Sequence, residues 1–403
     1  MFRTSGNIIT KVIRRALQLP LIFIAIPCVL LVRVLSPWVL FRFLRFSWDR
    51  IGNLYRVWWN LVDKPGEHAK RRVVDIVYPI DFGKAIANVA WLRLVSRRVY
   101  IFPWPRLAAI VDRVNQLFPG HERYRVMYSH PPSLTTVRNI FSRQEPTFPF
   151  SSAEEIEGAR GAKDLGLGEG EQFICFHTRD SAYLSITYPG REWSYHDYRD
   201  AAIVNSYHAV KSYLERRPFR AFRVGAVVAE AIQSHPRIID YSRSELRSDL
   251  MDLYLSAKCR FFVGGECGAT IFPESFRRPV VYANWAVNFI LPSFYYDKGL
   301  LILKKWYSVK EERLLTFKEI NALSWKSALK PAEWGVRLLE NTPEEILDVM
   351  MEMDQRLDHA WEGAPGDDEL QRRFWWLYGK TAYDDFTLRV GTKFLRDNVN
   401  LLS

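Results

Sequence analysis

Three short segments of the chain combine residue types that can grip an anion. His177-Thr178-Arg179-Asp180 follows directly on an apolar run ending at Phe176. An arginine there presents a planar fork of N–H donors suited to phosphate oxygens, and the adjacent carboxylate can hold a cation or accept hydroxyl groups. Gly264-Gly265-Glu266-Cys267-Gly268-Ala269-Thr270 joins the apolar run Phe261–Val263 to a segment of helical character that reaches Phe276. Glycines at a strand-to-helix turn let backbone N–H groups point at a phosphate, and a helix N-terminus adds the positive end of its dipole. The spacing is neither that of a Walker loop nor G-x-G-x-x-G, so ATP and NAD are not what it advertises. Arg223-Val224-Gly225 ends a third strand-like run on a glycine, which permits close approach of a ligand or of another backbone. Alone, each residue has an ordinary structural reading. In succession at strand ends, they describe one site for a diphosphate.

Two further groups are less specific. Arg50-Ile51-Gly52-Asn53 opens a helical segment containing Trp58 and Trp59, and reads either as a ligand loop or as a helix cap. Asp249 and Asp252 stand three apart on one helix face, in the first turn after Ser248. Acids favour a helix start, so capping is the better reading than metal ligation. With no D-x-D in a loop after a strand, no metal is assigned and no cofactor is expected. The four cysteines, Cys28, Cys175, Cys259 and Cys267, show no C-x-x-C spacing, which argues against a zinc site or a disulfide framework. Cys175 and Cys259 lie in or beside apolar runs and read as small core residues.

The elements that must position these loops alternate. Beyond residue 50, short apolar runs interleave with helical periodicity, the signature of strand-helix-strand units and a parallel sheet. The first half offers strands at 72–80 and 98–102 and helices at 85–94 and 105–118. A looser stretch at 129–170, with Pro131-Pro132 and several glycines, holds the domain boundary. In the second half, 172–176, 221–224, 237–241, 260–263 and 279–283 read as strands and 248–257 as a helix. Ile203, Tyr207, Val210 and Leu214 place one apolar stripe on another helix. Doubly wound sheets of this kind bind ligands at the C-terminal ends of their strands. At 403 residues the chain exceeds the usual size of one core.

Charge is distributed unevenly. The net charge is +11, and residues 1–60 carry nine Lys or Arg against Asp49 alone, so only +3 remains for the other 343 residues. A protein that tracks a polyanion spreads basic groups over a folded face, whereas these flank one apolar stretch, Leu17–Val32 and on to Phe41, as juxtamembrane clusters do. Membrane lipid is therefore the expected partner rather than nucleic acid. The stretch is short for a span and is interrupted by Pro20, Pro27 and Pro37, which favours a shallow or re-entrant anchor over a full crossing. Residues 41–62 mix Arg with Phe and Trp in the manner of an interfacial helix. A buried N-terminal helix is the alternative.

Taken in order, the motifs resemble fucosyltransferase-like enzymes of the GT-B class, which pair an RxGN or GxGN loop with HxR and a later glycine- and serine-rich turn. More closely, the chain resembles a family of bacterial glycosyltransferases found with surface-polysaccharide genes. The resemblance rests on RIGN at 50–53, CFHTRDSAYL at 175–184, YRDA at 198–201, FRVG at 222–225 and DLYLSAKCRFFVGGECG at 252–268, and continues through RLLTFKEI at 313–320 and NTPEEI at 341–346. It implies an α/β protein of GT-B type: two Rossmann-like domains with a cleft between them, behind an N-terminal membrane-associated helical segment. The implied division is an anchor and interfacial segment at 1–48, an acceptor-side domain at 49–165, a nucleotide-sugar domain at 166–365, and a C-terminal helical segment at 366–403 packing back on the first domain.

By the same resemblance, Arg179 holds the diphosphate, Gly264, Gly265, Cys267, Gly268, Ala269 and Thr270 supply backbone donors, and His177, Arg223 and Gly225 complete the pocket. Arg50, Gly52 and Asn53 face it from the other domain. Asp180 is the first candidate base and Glu266 the second. The turn departs from the family in carrying Glu266 and Cys267 where serines are usual, and RIGN replaces the RIGH of closer relatives. The activity implied is metal-independent, inverting transfer from a nucleotide-sugar, with a GDP-sugar favoured, to a glycan or lipid-linked acceptor at the cytoplasmic face of the membrane. A nucleotide-sugar epimerase and a non-catalytic component of a polysaccharide assembly complex are the rival readings.

Overall fold

Strands that run parallel cannot be joined by tight hairpins, and the crossovers that join them become helices on the faces of a sheet. The computed structural model describes residues 19–54, 57, 72–80, 84–126, 148–286, 298–323, 330–377 and 388–403. The chain divides into two units, Met1–Pro132 and Ser133–Ser403.

In the first unit, helix α1 (Leu19–Leu35) leads into β1 (Val39–Phe46), which pairs in parallel with β2 (Arg72–Pro79) from Val39 opposite Arg72 to Phe46 opposite Pro79. Single parallel bridges, Phe43 to Arg125 and Val77 to Ile101, flank this pair. Helices α2 (Val89–Ser96) and α3 (Pro105–Asn115) follow. Asn88 caps α2 by accepting the Trp91 N–H at 2.7 Å, and Pro105 starts α3 where its missing N–H costs nothing.

Two sequence expectations change here. Residues 41–46 are part of a strand rather than an interfacial helix, and Leu40, Phe43, Leu44 and Phe46 are its buried positions. The apolar segment is helical, but α1 docks on its own unit: Ala25, Val29 and Val32 are buried in one core with Phe43, Tyr78, Ala108 and Val111. Arg33 fixes the docking by donating to Asn115 Oδ1 at 2.8 Å and to the Pro119 carbonyl at 3.0 Å, beyond the end of α3, where a cation also complements the helix dipole. The outward side of α1 stays apolar and exposed at Phe23, Leu31 and Val34. Seventeen residues make a helix of about 25 Å, and no described helix is long and apolar enough to cross a membrane.

The second unit begins with α4 (Ser152–Asp164), closed by a capping box of Ser151 and Glu154. Then come β3 (Phe173–Phe176), α5 (Ala182–Thr187), α6 (Ile203–Arg216), β4 (Arg220–Arg223), β5 (Ile238–Ile239), α7 (Asp249–Lys258), β6 (Phe262–Gly264), α8 (Ile271–Ser275), β7 (Val280–Trp285) and β8 (Gly299–Leu303). An antiparallel trio of β9 (Lys305–Ser308), β10 (Arg313–Leu314) and, after α9 (Phe317–Ala322), β11 (Val336–Leu339) precedes α10 (Pro343–Leu357), α11 (Asp367–Leu377), β12 (Arg389–Val390) and α12 (Thr392–Asp397).

Seven strands form one sheet in the order β5-β4-β3-β6-β7-β8-β12, every pair parallel. Its central strands are buried at every position, as expected where helices cover both faces. The expected strands from 172 to 283 are present to within a few residues. Phe150 stacks on Phe276 at 4.8 Å and Lys258 pairs with Glu155 at 2.9 Å, so residues 150–164 belong with the second unit and the boundary lies earlier than 165. The C-terminal segment, expected to pack on the first domain, instead contributes β12 to this sheet beside β8.

Candidate functional site

Strand order locates the site. From β3 the chain moves outward through β4 to β5, then returns across β3 to begin the other half at β6. At such a reversal the two connections leave in opposite directions and open a crevice at the C-terminal strand ends. His177 follows β3, Gly265 follows β6, and the His177 N–H donates to the Val263 carbonyl at 2.9 Å, which ties the two tips together. His177, Arg179, Arg199, Gly264, Gly265 and Asn284 line one small recess there, with about 10 Å³ of open volume. That is room for about one water molecule.

Arg179 is buried to 10% exposure; it pairs with Asp200 and donates to the His196 carbonyl at 3.1 Å. Burial, and then the nearby Arg199, pull its guanidinium down to about 10. Asp180 is fully engaged: Oδ1 accepts the Ala182 N–H and Oδ2 the Ala229 N–H, each at 2.9 Å, so it starts α5 and pins the loop after β4. Arg223, 2% exposed, donates to the Glu230 carbonyl at 2.5 Å and to Asp240 at 3.3 Å. It organises that loop from within the fold and does not line the recess.

The glycines are required by packing. Gly225 has φ of +149°, and a Cβ there would lie 3.1 Å from the His177 ring. At Gly264 a Cβ would lie 2.8 Å from the Phe262 ring and 2.9 Å from Thr270 Cγ2. The helix expected to run from the turn to Phe276 is a 3-10 turn, Gly268–Thr270, followed by the five residues of α8. Its dipole is correspondingly small, and backbone N–H groups rather than a long helix are what the turn offers. Gly268 is exposed and Ala269 half-buried, while Thr270 donates to the Cys267 carbonyl at 2.8 Å.

Cys267 and His177 are neighbours whose charges act on each other. His177 Nδ1 lies 2.9 Å from the Val224 carbonyl, which can only accept, so Nδ1 carries a proton. Burial opposes charge on both groups, yet their mutual attraction outweighs it: the imidazole is raised and the thiol lowered from their ordinary values. A thiol lowered in this way carries a larger thiolate fraction than a free cysteine.

Glu266 is 7% exposed, and burial pushes its carboxyl up to about 7 against the opposing pull of Arg199, Tyr198, Arg179 and Lys304. Oε1 accepts from the Tyr198 hydroxyl at 3.3 Å, while Oε2 is buried with no hydrogen-bond partner. Lys304, which follows β8 directly, is 3% exposed; its ammonium donates to the Tyr198 carbonyl at 3.2 Å and to the Asp200 carbonyl. Burial lowers it, with Glu340 and Glu266 pulling the other way. Three cations, Arg179, Arg199 and Lys304, thus gather around Glu266 and Asp200.

Arg199, Asp200 and Lys304 were not identified as site residues from the sequence. The first two lie in the YRDA block, and Lys304 would have emerged had 299–303 been read as a strand and its C-terminal end inspected. Arg50, Gly52 and Asn53 lie in the first unit just beyond the end of β1, where residues 51–54 are helical and the Asn53 N–H donates to the Arg50 carbonyl at 3.1 Å. Among the described residues no group of three or more His, Cys, Asp or Glu could hold a metal ion. Asp249 and Asp252 stand in the first turn of α7, where Ser248 caps by accepting the Met251 N–H at 3.2 Å and Asp252 pairs with Arg247 at 2.9 Å.

No protein-family model matches the sequence, and no curated protein matches it. Among solved structures, a glycosyl transferase family 9 protein from Veillonella parvula is similar at 10% sequence identity and a TM-score of 0.43, over 78% of this chain and 97% of that one, a likeness too distant to assign a family.

Proposed function

We propose that the crevice between β3 and β6 holds the diphosphate of a nucleotide-sugar, and that the protein is a glycosyltransferase of GT-B type. The observation that carries this reading is the convergence of Arg179, Arg199, Gly264 and Gly265 on one recess at the switch point of a doubly wound sheet. A diphosphate enters by replacing Asp200 as the anionic partner of Arg179, which exchanges one charge-assisted pair for another and widens a recess that otherwise admits about one water. Arg199 and Lys304 then lie close to the departing diphosphate, where fixed positive charge stabilises the bond-breaking step without a metal.

Glu266 takes the role of base in preference to Asp180, whose two oxygens are committed to backbone N–H groups. An acceptor hydroxyl attacks the anomeric carbon, its proton passes to Glu266, and the bond to the nucleoside diphosphate breaks with the electron pair leaving on the phosphate oxygen. Direct attack of this kind inverts the anomeric centre. The resemblance of the motif series favours a GDP-sugar. The exposed apolar side of α1 suits a lipid surface, which supports reading the protein as membrane-associated at the cytoplasmic face and its acceptor as a glycan or lipid-linked molecule.

A thermal-shift panel of GDP, UDP, CMP and their sugars tests the reading. Stabilisation by one nucleotide family in the wild type, lost in Arg199→Ala, is the expected result. No stabilisation by any member sinks it. Conversion of the sugar without an acceptor would instead indicate an epimerase, and binding without turnover a non-catalytic component.

A further inference from the structure

A second cavity lies at the opposite edge of the same sheet. Its volume is about 460 Å³, within the range of small-molecule sites. Six cations line it: Arg260, Arg277, Arg278, Lys298, Arg356 and Arg389. Their gathering follows from topology. Arg260 shortly precedes β6, Arg278 precedes β7, Lys298 precedes β8 and Arg389 opens β12, and these four strands are consecutive neighbours in the sheet. Each strand therefore delivers a basic residue to one edge, and α10 adds Arg356 from its last turn.

Several of these groups are held in place from within the fold. Arg260 is paired with Asp354 at 2.6 Å and Asp358 at 2.5 Å, Arg356 with Glu352 at 2.7 Å, and Arg389 with Asp368 at 2.8 Å. Arg278 Nε donates to the Cys259 carbonyl at 2.6 Å. Among the described residues, none of these acids lines the cavity. The Lys298 ammonium is the least committed of the six, with a 3.5 Å contact to the Arg277 carbonyl. The C-terminal turn of α10 opposes an anion through its carbonyl groups, but the effect is confined to that turn, whereas the cations come from four strand edges as well.

We propose that this cavity binds a phosphorylated small molecule. Fixed guanidinium groups match phosphate oxygens in pairs, and the half-buried Lys298 adds a mobile point charge. Pro279, Leu300 and Met353 give the cavity an apolar part, and its volume exceeds what a bare phosphate ion needs, so the ligand is an ester carrying an apolar or ring-bearing group. The inference does not depend on how the β3/β6 crevice is read.

Calorimetric titration of the whole protein with inorganic pyrophosphate at low ionic strength tests it, using wild type, Arg199→Ala, and the double variant Lys298→Glu with Arg356→Glu. The double variant is expected to lose one binding site, or to weaken it by about tenfold or more, while any site sensitive to Arg199→Ala persists. Unchanged site number and affinity in the double variant, or no pyrophosphate binding in the wild type, overturns the proposal. A crystal of the wild type soaked in tungstate gives a check free of mutation. Anomalous density between Lys298 and Arg356 supports the site, and density confined to the crevice or absent overturns it.

Discussion

The two edges of the seven-stranded sheet carry basic side chains under opposite conditions. At the C-terminal edge, three cations interleave with Glu266 and Asp200 in a recess of about 10 Å³, and each charge has a neighbour of the other sign. At the N-terminal edge, six cations face one cavity of about 460 Å³. Balanced, buried charge is what a site needs to shift protonation states and move a proton. Here the acids that pair with Arg260, Arg356 and Arg389 stand behind them and only basic groups line the open volume, which is suited to holding an anion. The same fold therefore separates chemistry from simple binding by where acids are interleaved with bases.

Removing a cation from the balanced edge should have the largest effect. Arg199→Ala is expected to lower kcat/KM for sugar transfer by about 10²–10³-fold, the loss typical of one preorganised charge-stabilising donor. Steady-state rates measure it, and near wild-type turnover would remove this edge as the seat of chemistry.

Glu266→Gln comes next, and its signature is in pH. With a carboxyl near 7, wild-type activity should rise as pH increases to about 7 and then level, because the base works deprotonated. The variant should be slow and flat. Stability moves the other way. The folded state keeps a proton on Glu266 that the unfolded state, at the ordinary 4.5, has already lost, so this contribution is present below about 4.5 and fades as pH rises towards 7. Melting temperatures of wild type and variant across pH 4 to 8 check the sign, and parallel curves would contradict it.

Cys267 offers a smaller effect. Lowered by the neighbouring His177, its thiol should react with iodoacetamide at pH 7 several-fold faster than in His177→Ala, since the thiolate fraction falls as the thiol returns towards its ordinary range. Bound donor should slow the reaction in the wild type. Equal rates in both proteins would break the pair. Lys298→Glu should change transfer least, staying within about twofold in phosphate-free buffer, because a charge at the far edge is screened over a distance of about 10 Å.

Much of this was legible in the sequence. Period and strand-end position placed His177-Thr178-Arg179-Asp180 and Gly264–Thr270 on adjacent tips, because parallel strands with apolar runs leave few alternatives. What could not be read was pairing. Nothing local says that Arg179 meets Asp200, that Asp180 spends both oxygens on backbone, or that Arg223 turns inward to Asp240. Residues 19–35 misled for a related reason: composition reports that a helix is apolar, not that one side of it meets Val111 and Tyr78 while the other stays outside. β12 was missed because two residues of strand leave no period to detect.

Asn284 and Asn341 clasp each other: the backbone N–H of each donates to the side-chain oxygen of the other at 2.7 Å, both buried. Asn284 also forms one wall of the recess. That jaw is fixed to the start of α10 and cannot yield cheaply. The opposite jaw is the 3-10 helix Ser194–Arg199, which carries Arg199 and ends on Asp200. The first lip is held by backbone clasped to side-chain amide, whereas the second is held by ionisable groups, Lys304, Glu266 and Arg179, so an incoming anion competes with the contacts that fix that lip.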